Sequence, residues 1–183
     1  MVVLYGIIGL AVFSFILVKL YFAAVGLEKL VVYPEQRTPF EVEEQTEESI
    51  LLSTKIPFVN EGKQCATIMD AFVRPQLPYE QYDGIDARGK AELEGAPRED
   101  DYFEAVLIQR KGEAPDKLDI WAKIALSPRK GLSLEEALAH MVDIGVDFIW
   151  METGRTPWKY KKVRLEITAE EIARLAGVTL VKD

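Results

Sequence analysis

The first 27 positions and the rest of the chain follow different hydrophobic rules. Residues 2–18 (VVLYGIIGLAVFSFILV) carry no charge, and after Lys19 the apolar character resumes as LYFAAVGL before stopping at Glu28. Such a run has no polar side. As a helix rising about 1.5 Å per residue it reaches roughly 39 Å, more than a hydrocarbon core of roughly 30 Å. A helix satisfies its own backbone groups, which lipid cannot do. The pattern predicts a transmembrane anchor over residues 1–27.

From residue 40 onwards a period of two takes over. Ile50, Leu52, Thr54, Ile56 and Phe58 share one face, and across Asn60-Glu61-Gly62 a second run places Cys65, Thr67, Met69, Ala71 and Val73 together. Two such runs joined by turn residues read as a hairpin. Residues 85–94 and 102–110 read as weaker strands. Leu118, Ile120, Ala122, Ile124 and Leu126 alternate with Lys117, Asp119, Trp121 and Lys123. Val142, Ile144, Val146, Phe148 and Trp150 alternate with Asp143, Gly145, Asp147, Ile149 and Met151. A last run, 158–167, follows the turn residues 154–157.

Two short helices interrupt the strands. Ser133 and Glu136 match a capping box, with Leu134, Ala137, Leu138 and Met141 on one stripe; Thr168 and Glu171 repeat the box, and Gly177 suits the end of that helix. Seven or eight strands at turn-punctuated intervals predict a mainly β fold: an immunoglobulin-like antiparallel β-sandwich with two short helices behind one transmembrane helix. Residues 28–39 are expected to form a connector, and residues 40–183 the sandwich with a C-terminal capping helix.

Charge narrows the partners. Lys and Arg number 22 against 30 Asp and Glu, a formal net charge of −8. Residues 1–33 hold only Lys19, Glu28 and Lys29, net +1, so the remainder carries −9. An acidic body repels nucleic acid and anionic lipid headgroups, and neither is expected as a partner of that body. One cysteine, Cys65, and one histidine, His140, exclude an internal disulfide, a Cys-rich metal centre and a His-pair site. No cofactor, metal or catalytic residue is expected.

No basic stretch precedes the apolar run, and Ala24-Val25-Gly26 is a weak cleavage site, so the segment reads as an uncleaved signal-anchor of a single-pass protein. Membrane lipid is its partner through residues 2–27. Lys19, Lys29 and Arg37 lie C-terminal to the span, which by the positive-inside rule favours a cytoplasmic body, but Glu28 and Glu35 sit among them. The scarcity of cysteine and the domain type favour a body outside the cytoplasm, the orientation expected here.

Several candidate chemistries resolve into simpler roles. Asp143 and Asp147, four strand positions apart, are roughly 13 Å from each other, too far to work on one bond, and read as a solvated face. The Glu99-Asp100-Asp101 turn lacks the spacing of a calcium loop. Cys65 reads as a core thiol and His140 as a half-buried surface residue. Four residues remain as candidate contacts for a protein partner or a second copy. Lys19 interrupts the anchor, Trp121 falls on a polar strand face, and Trp158 and Tyr160 stand among lysines in the last strand, able to touch headgroups or an acidic subunit.

Ile56-Pro57-Phe58-Val59-Asn60 followed by Gly62 resembles the start of the late-embryogenesis-abundant type 2 (water-stress) domains, small immunoglobulin-like sandwiches often tethered by an N-terminal transmembrane helix. The chain departs from them at Asn60-Glu61-Gly62, where that family has Asn-Pro-Asn. The resemblance implies a non-enzymatic tethered sandwich and brings no catalytic residue. The expected function is a structural or accessory subunit contacting other envelope or membrane proteins. The alternatives are a binding module for an apolar or lipid-like ligand and a histidine-independent hydrolase.

Overall fold

The computed structural model describes residues 2–97 and 103–181. Helix α1, Val2–Val25, is continuous, and none of Leu4–Val25 is buried against the rest of the chain. A soluble core helix would bury at least one side. This one is long and apolar enough to cross a membrane, and the rest of the chain leaves its circumference uncovered.

Among the described residues nine strands follow, in two antiparallel sheets. One sheet has the order β1-β3-β7-β5, formed by Leu30–Val32, Ile50–Asn60, Lys117–Pro128 and Ile85–Leu93, with β2 (Glu41–Gln45) also paired to β3. The other has the order β6-β4-β8-β9, formed by Ala105–Ile108, Ala66–Gln76, Ile144–Thr153 and Lys159–Ile167. Setting β2-β3-β7-β5 against β4-β8-β9 reproduces the A-B-E-D and C-F-G sheets of an immunoglobulin-like sandwich, with β6 added at the free edge of β4. The β-sandwich expected from the alternating runs is therefore the fold.

The core between the sheets is filled by large side chains in phase with the sequence pattern. Phe58 packs edge-on to Trp150 at 5.2 Å and against Phe148 at 5.5 Å. Ile120, Ile124, Val146 and Leu52 are fully buried around them. Helices α2 (Leu134–Ala139) and α3 (Ala169–Ala176) close the end far from α1, burying Leu134, Leu138 and Ile172. In α2 the capping box is complete, Ser133 N–H donating to Glu136 and Glu136 N–H to Ser133 Oγ.

Two local features differ from the sequence pattern, and a third adds to it. The 28–39 connector carries a short strand of its own. Leu30 and Val32 pair with Asn60 and Phe58, residues Pro34–Gln36 form a 3-10 turn, and Thr38 N–H donates to Lys55 O. In β4 the single face expected for Cys65 to Val73 is broken by a bulge between Met69 and Phe72. Asp70 there has φ +47°, and the extra residue shifts the alternation by one. Ala66, Ile68, Ala71 and Val73 point inward, so Thr67 and Met69 face out and Cys65 is only half-buried, its thiol donating to Gln109. Of the run expected over 102–110, the described part forms a strand over Ala105–Ile108.

Candidate interaction surfaces

The end of α1 is fastened to the sandwich by buried polar chemistry. Glu28, 9% exposed, accepts the backbone N–H groups of Arg155 and Thr156, each at 3.0 Å, and the Thr156 hydroxyl. Burial pushes this carboxyl up, but the Thr156 hydroxyl and the backbone N–H groups outweigh it and hold it below the ordinary carboxylate value. Asn60, fully buried, works from the other side. Its Oδ1 accepts the N–H groups of Lys29 (3.2 Å) and Gly62 (2.9 Å), and its Nδ2 donates to Gln64 O at 2.7 Å. Gln64 in turn donates to Val25 O at 3.0 Å, in the last turn of α1. The β3–β4 turn and the β8–β9 hairpin thus grip residues 25–29.

Two glycines make that grip possible. A Cβ on Gly62 would lie 2.3 Å from Lys29 N, and one on Gly154 would lie 2.5 Å from the Glu28 carboxyl carbon. At Gly62 backbone passes too closely for any side chain, and at Gly154 the end of the Glu28 side chain occupies the space.

The two outward sheet faces have opposite character. On the five-stranded sheet, Lys123 is nearly buried and bridges Glu43 (2.7 Å) and Glu92 (2.8 Å). Lys55, paired with Glu94, lies 4.7 Å from the centre of the Trp121 ring, and Lys123 lies 6.0 Å from it. Trp121 is the apolar plate of a charged lattice, half-covered by two ammonium groups.

On the four-stranded sheet, register sets apolar side chains in rows. Thr67 stands between Leu107 and Thr153; Met69 stands between Ala105 and Met151, with Tyr160 beyond; Phe72 stands beside Ile149. Leu107 is 49% and Phe72 37% exposed. Towards α2 and α3 the face ends in a charged row, Arg74–Asp147–Arg164. Arg164 donates to Asp147 through Nε at 2.8 Å and Nη2 at 3.1 Å, and Lys162 approaches at 3.2 Å. The Arg164 fork holds the Asp147 carboxyl below its ordinary range against the effect of burial, with Lys162 adding to it.

Sequence alternation does not display this face, for a definite reason. The bulge reverses the alternation between Met69 and Phe72, and Ile149 and Met151 fall in phase with the polar set of β8. Two apolar residues among the nominally solvated positions of one strand were the available signal.

The candidate contacts are placed as follows. Trp158 and Tyr160 come together, rings edge-on at 6.0 Å, 63% and 59% exposed, beside the hairpin that Glu28 holds. Tyr160 also joins the apolar rows. Trp121 lies on the opposite sheet, apart from them. Lys19 stays in α1 with its ammonium 5.5 Å from the Phe15 ring. Asp147, expected to be solvated, is 5% exposed because its ion pairs cover it. Asp143 lies just outside β8 and accepts Ala169 N–H at 2.8 Å, at the start of α3. His140 is exposed at the end of α2 rather than half-buried. The Glu99-Asp100-Asp101 turn falls outside the described residues. Among the described residues no group of three His, Cys, Asp or Glu side chains is placed to hold a metal ion.

Neither a protein-family model nor a curated protein matches the chain. Among solved structures, it is similar to the GAE domain of GGA2p from Saccharomyces cerevisiae at 11% identity and a TM-score of 0.35, covering 78% of this chain and 98% of that one.

Proposed function

We propose that the chain is a single-pass membrane protein whose sandwich, held at the bilayer surface, docks another membrane protein or a second copy of itself through the outer face of the four-stranded sheet. The observation that carries this reading is the apolar row system Leu107, Met69, Met151, Phe72 and Ile149 on a face that a free-standing sandwich would keep polar. Contiguous exposed apolar area rimmed by charge is what an interaction site needs, since its burial supplies the association energy and the rim sets the register. The clasp around Glu28 supports an accessory role. A body fixed on its anchor presents one face repeatedly to neighbours in the same membrane.

The body is placed outside the cytoplasm in this reading, supported by its single cysteine and its sandwich type. The resemblance to the water-stress domains belongs to the same proposal, and IPFVN lies on β3, where Asn60 closes the β3–β4 turn. A ligand held between the sheets has less support. The cavity that reaches core residues Ala91 and Phe103 measures about 130 Å³, whereas sites for drug-sized ligands span about 300–1,000 Å³.

The test is the apparent mass of the full-length protein in mild detergent, beside a Phe72→Glu, Leu107→Glu double variant. The wild type is expected to run as a complex and the variant as a folded monomer. A wild type that runs as a bare monomer overturns the reading. Protease treatment of sealed cells decides the side: digestion of the sandwich from outside is expected, and full protection places the body inside.

A further inference from the structure

Among the described residues, cations gather at the end of the acidic body from which α1 leaves. Five acidic side chains bordering that exit are engaged: Glu28 by the hairpin, Glu61 by Lys29 and Tyr33, Glu113 by Arg110, Asp116 by Gly112 N–H, and Glu152 by Lys159. Lys63, Lys111 and Arg155 are exposed there and make no ion pair among the described residues. A groove of about 880 Å³ runs between the last turn of α1, at Ala24 and Val25, and the loops carrying Lys63, Arg110 and Lys111. If α1 spans a bilayer, that last turn marks the boundary between acyl chains and headgroups, and the cations of the groove stand at headgroup height. Trp158 is exposed on the neighbouring hairpin, and Glu28 keeps that hairpin from swinging away from the anchor. Tryptophan, with an apolar body and an N–H, is enriched at that boundary.

We propose that this end of the sandwich docks on an anionic bilayer surface, with Lys63, Lys111 and Arg155 engaging lipid phosphates and Trp158 seated among the headgroups. The proposal rests on α1 spanning the bilayer and is independent of what the four-stranded face binds. Its electrostatics run against the net charge of the body, so the attraction is local. It falls off over a Debye length of about 8 Å at physiological salt.

The test uses the full chain reconstituted into vesicles of phosphatidylcholine alone or with phosphatidylglycerol added, the lipids brominated near the headgroup to quench nearby tryptophan. Stronger quenching is expected in the anionic vesicles, weakened by salt and lost in Trp158→Phe. Each cation near such a surface contributes about fivefold to the docked-to-undocked ratio, so a Lys63→Gln, Lys111→Gln, Arg155→Gln variant is expected to lower it by about a hundredfold. Unchanged thermal unfolding of that variant verifies that it folds. A chain that does not float with phosphatidylcholine vesicles overturns the anchor and this proposal with it. A chain that floats but is quenched equally in both compositions overturns headgroup docking alone.

Discussion

Glu28 and Thr156 stand 128 positions apart in the chain, yet the Thr156 N–H and hydroxyl both donate to Glu28 Oε1, the N–H at 3.0 Å. One carboxylate thereby joins the residue that ends the apolar segment to the tip of the β8–β9 hairpin. The orientation of the sandwich on its anchor depends on that tie and on Asn60 opposite it.

Glu28→Gln keeps the shape of the side chain but places an NH2 where one N–H donor must be accepted. Hydrogen bonds to a charged group are worth about 1.5–3 kcal/mol, so amide exchange at Arg155 and Thr156 is expected to quicken about ten- to a hundredfold. The pH dependence has a fixed sign. The carboxyl titrates below its ordinary 4.5 in the folded chain, so its contribution is complete above that value and is lost as pH falls through the lowered one. Exchange measured against pH is expected to show the hairpin loosening only on the acid side. Loosening at alkaline pH would contradict the tie.

Gly62→Ala and Gly154→Ala are expected to differ. The new methyl at 62 meets backbone, Lys29 N at 2.3 Å, and cannot be relieved by a rotamer change, whereas at 154 it meets the end of the Glu28 side chain at 2.5 Å. Overpacking costs about 1–3 kcal/mol, with position 62 at the upper end. Thermal unfolding of the full chain in detergent measures both. Equal and negligible losses would show that residues 27–29 are not gripped.

Ile124→Ala and Val146→Ala remove fully buried side chains from the two sheets and are expected to cost about 2–4 kcal/mol each by lost transfer energy and residual cavity. Asp147→Ala abandons the Arg164 fork and is expected to cost about 1.5–3 kcal/mol. Asp143→Ala loses one bond to the start of α3, about 1 kcal/mol. Chemical denaturation in detergent ranks them. An Asp147 variant as mild as a solvent-facing substitution would show that its ion pairs contribute nothing.

Lys19 lies six residues, roughly 9 Å, from the end of α1, within reach of a lysine stem extended towards the headgroups. Lys19→Leu is therefore expected to retain or strengthen resistance to alkaline carbonate extraction and to leave the detergent-solubilised mass unchanged. A fall in that mass would instead assign Lys19 to a neighbouring helix.

Where sequence and structure part, a nonlocal cause can be named. Ile120, Ile124, Phe148 and Trp150 were legible as core because β7 and β8 keep an unbroken period of two. Met69 and Phe72 were not, since one inserted residue at Asp70 reverses which face follows it, and nothing local marks the insertion. Trp158 and Tyr160 were visible as an aromatic pair among lysines. Their nearness to the anchor was not, because it depends on Glu28 meeting Thr156.

The sequence by itself determined the apolar helix, the alternating strands, the two capped helices and the acidic excess, because each depends on spacing or composition that neighbouring residues suffice to express. Tertiary structure decided which charges gather where. Lys63, Lys111 and Arg155 come from three separate turns and meet at one end only because antiparallel pairing returns β4, β6 and β8 there. It likewise decided that Asp147 is buried and Phe72 exposed, since burial is set by the strand across the sheet and not by the residues on either side in the chain.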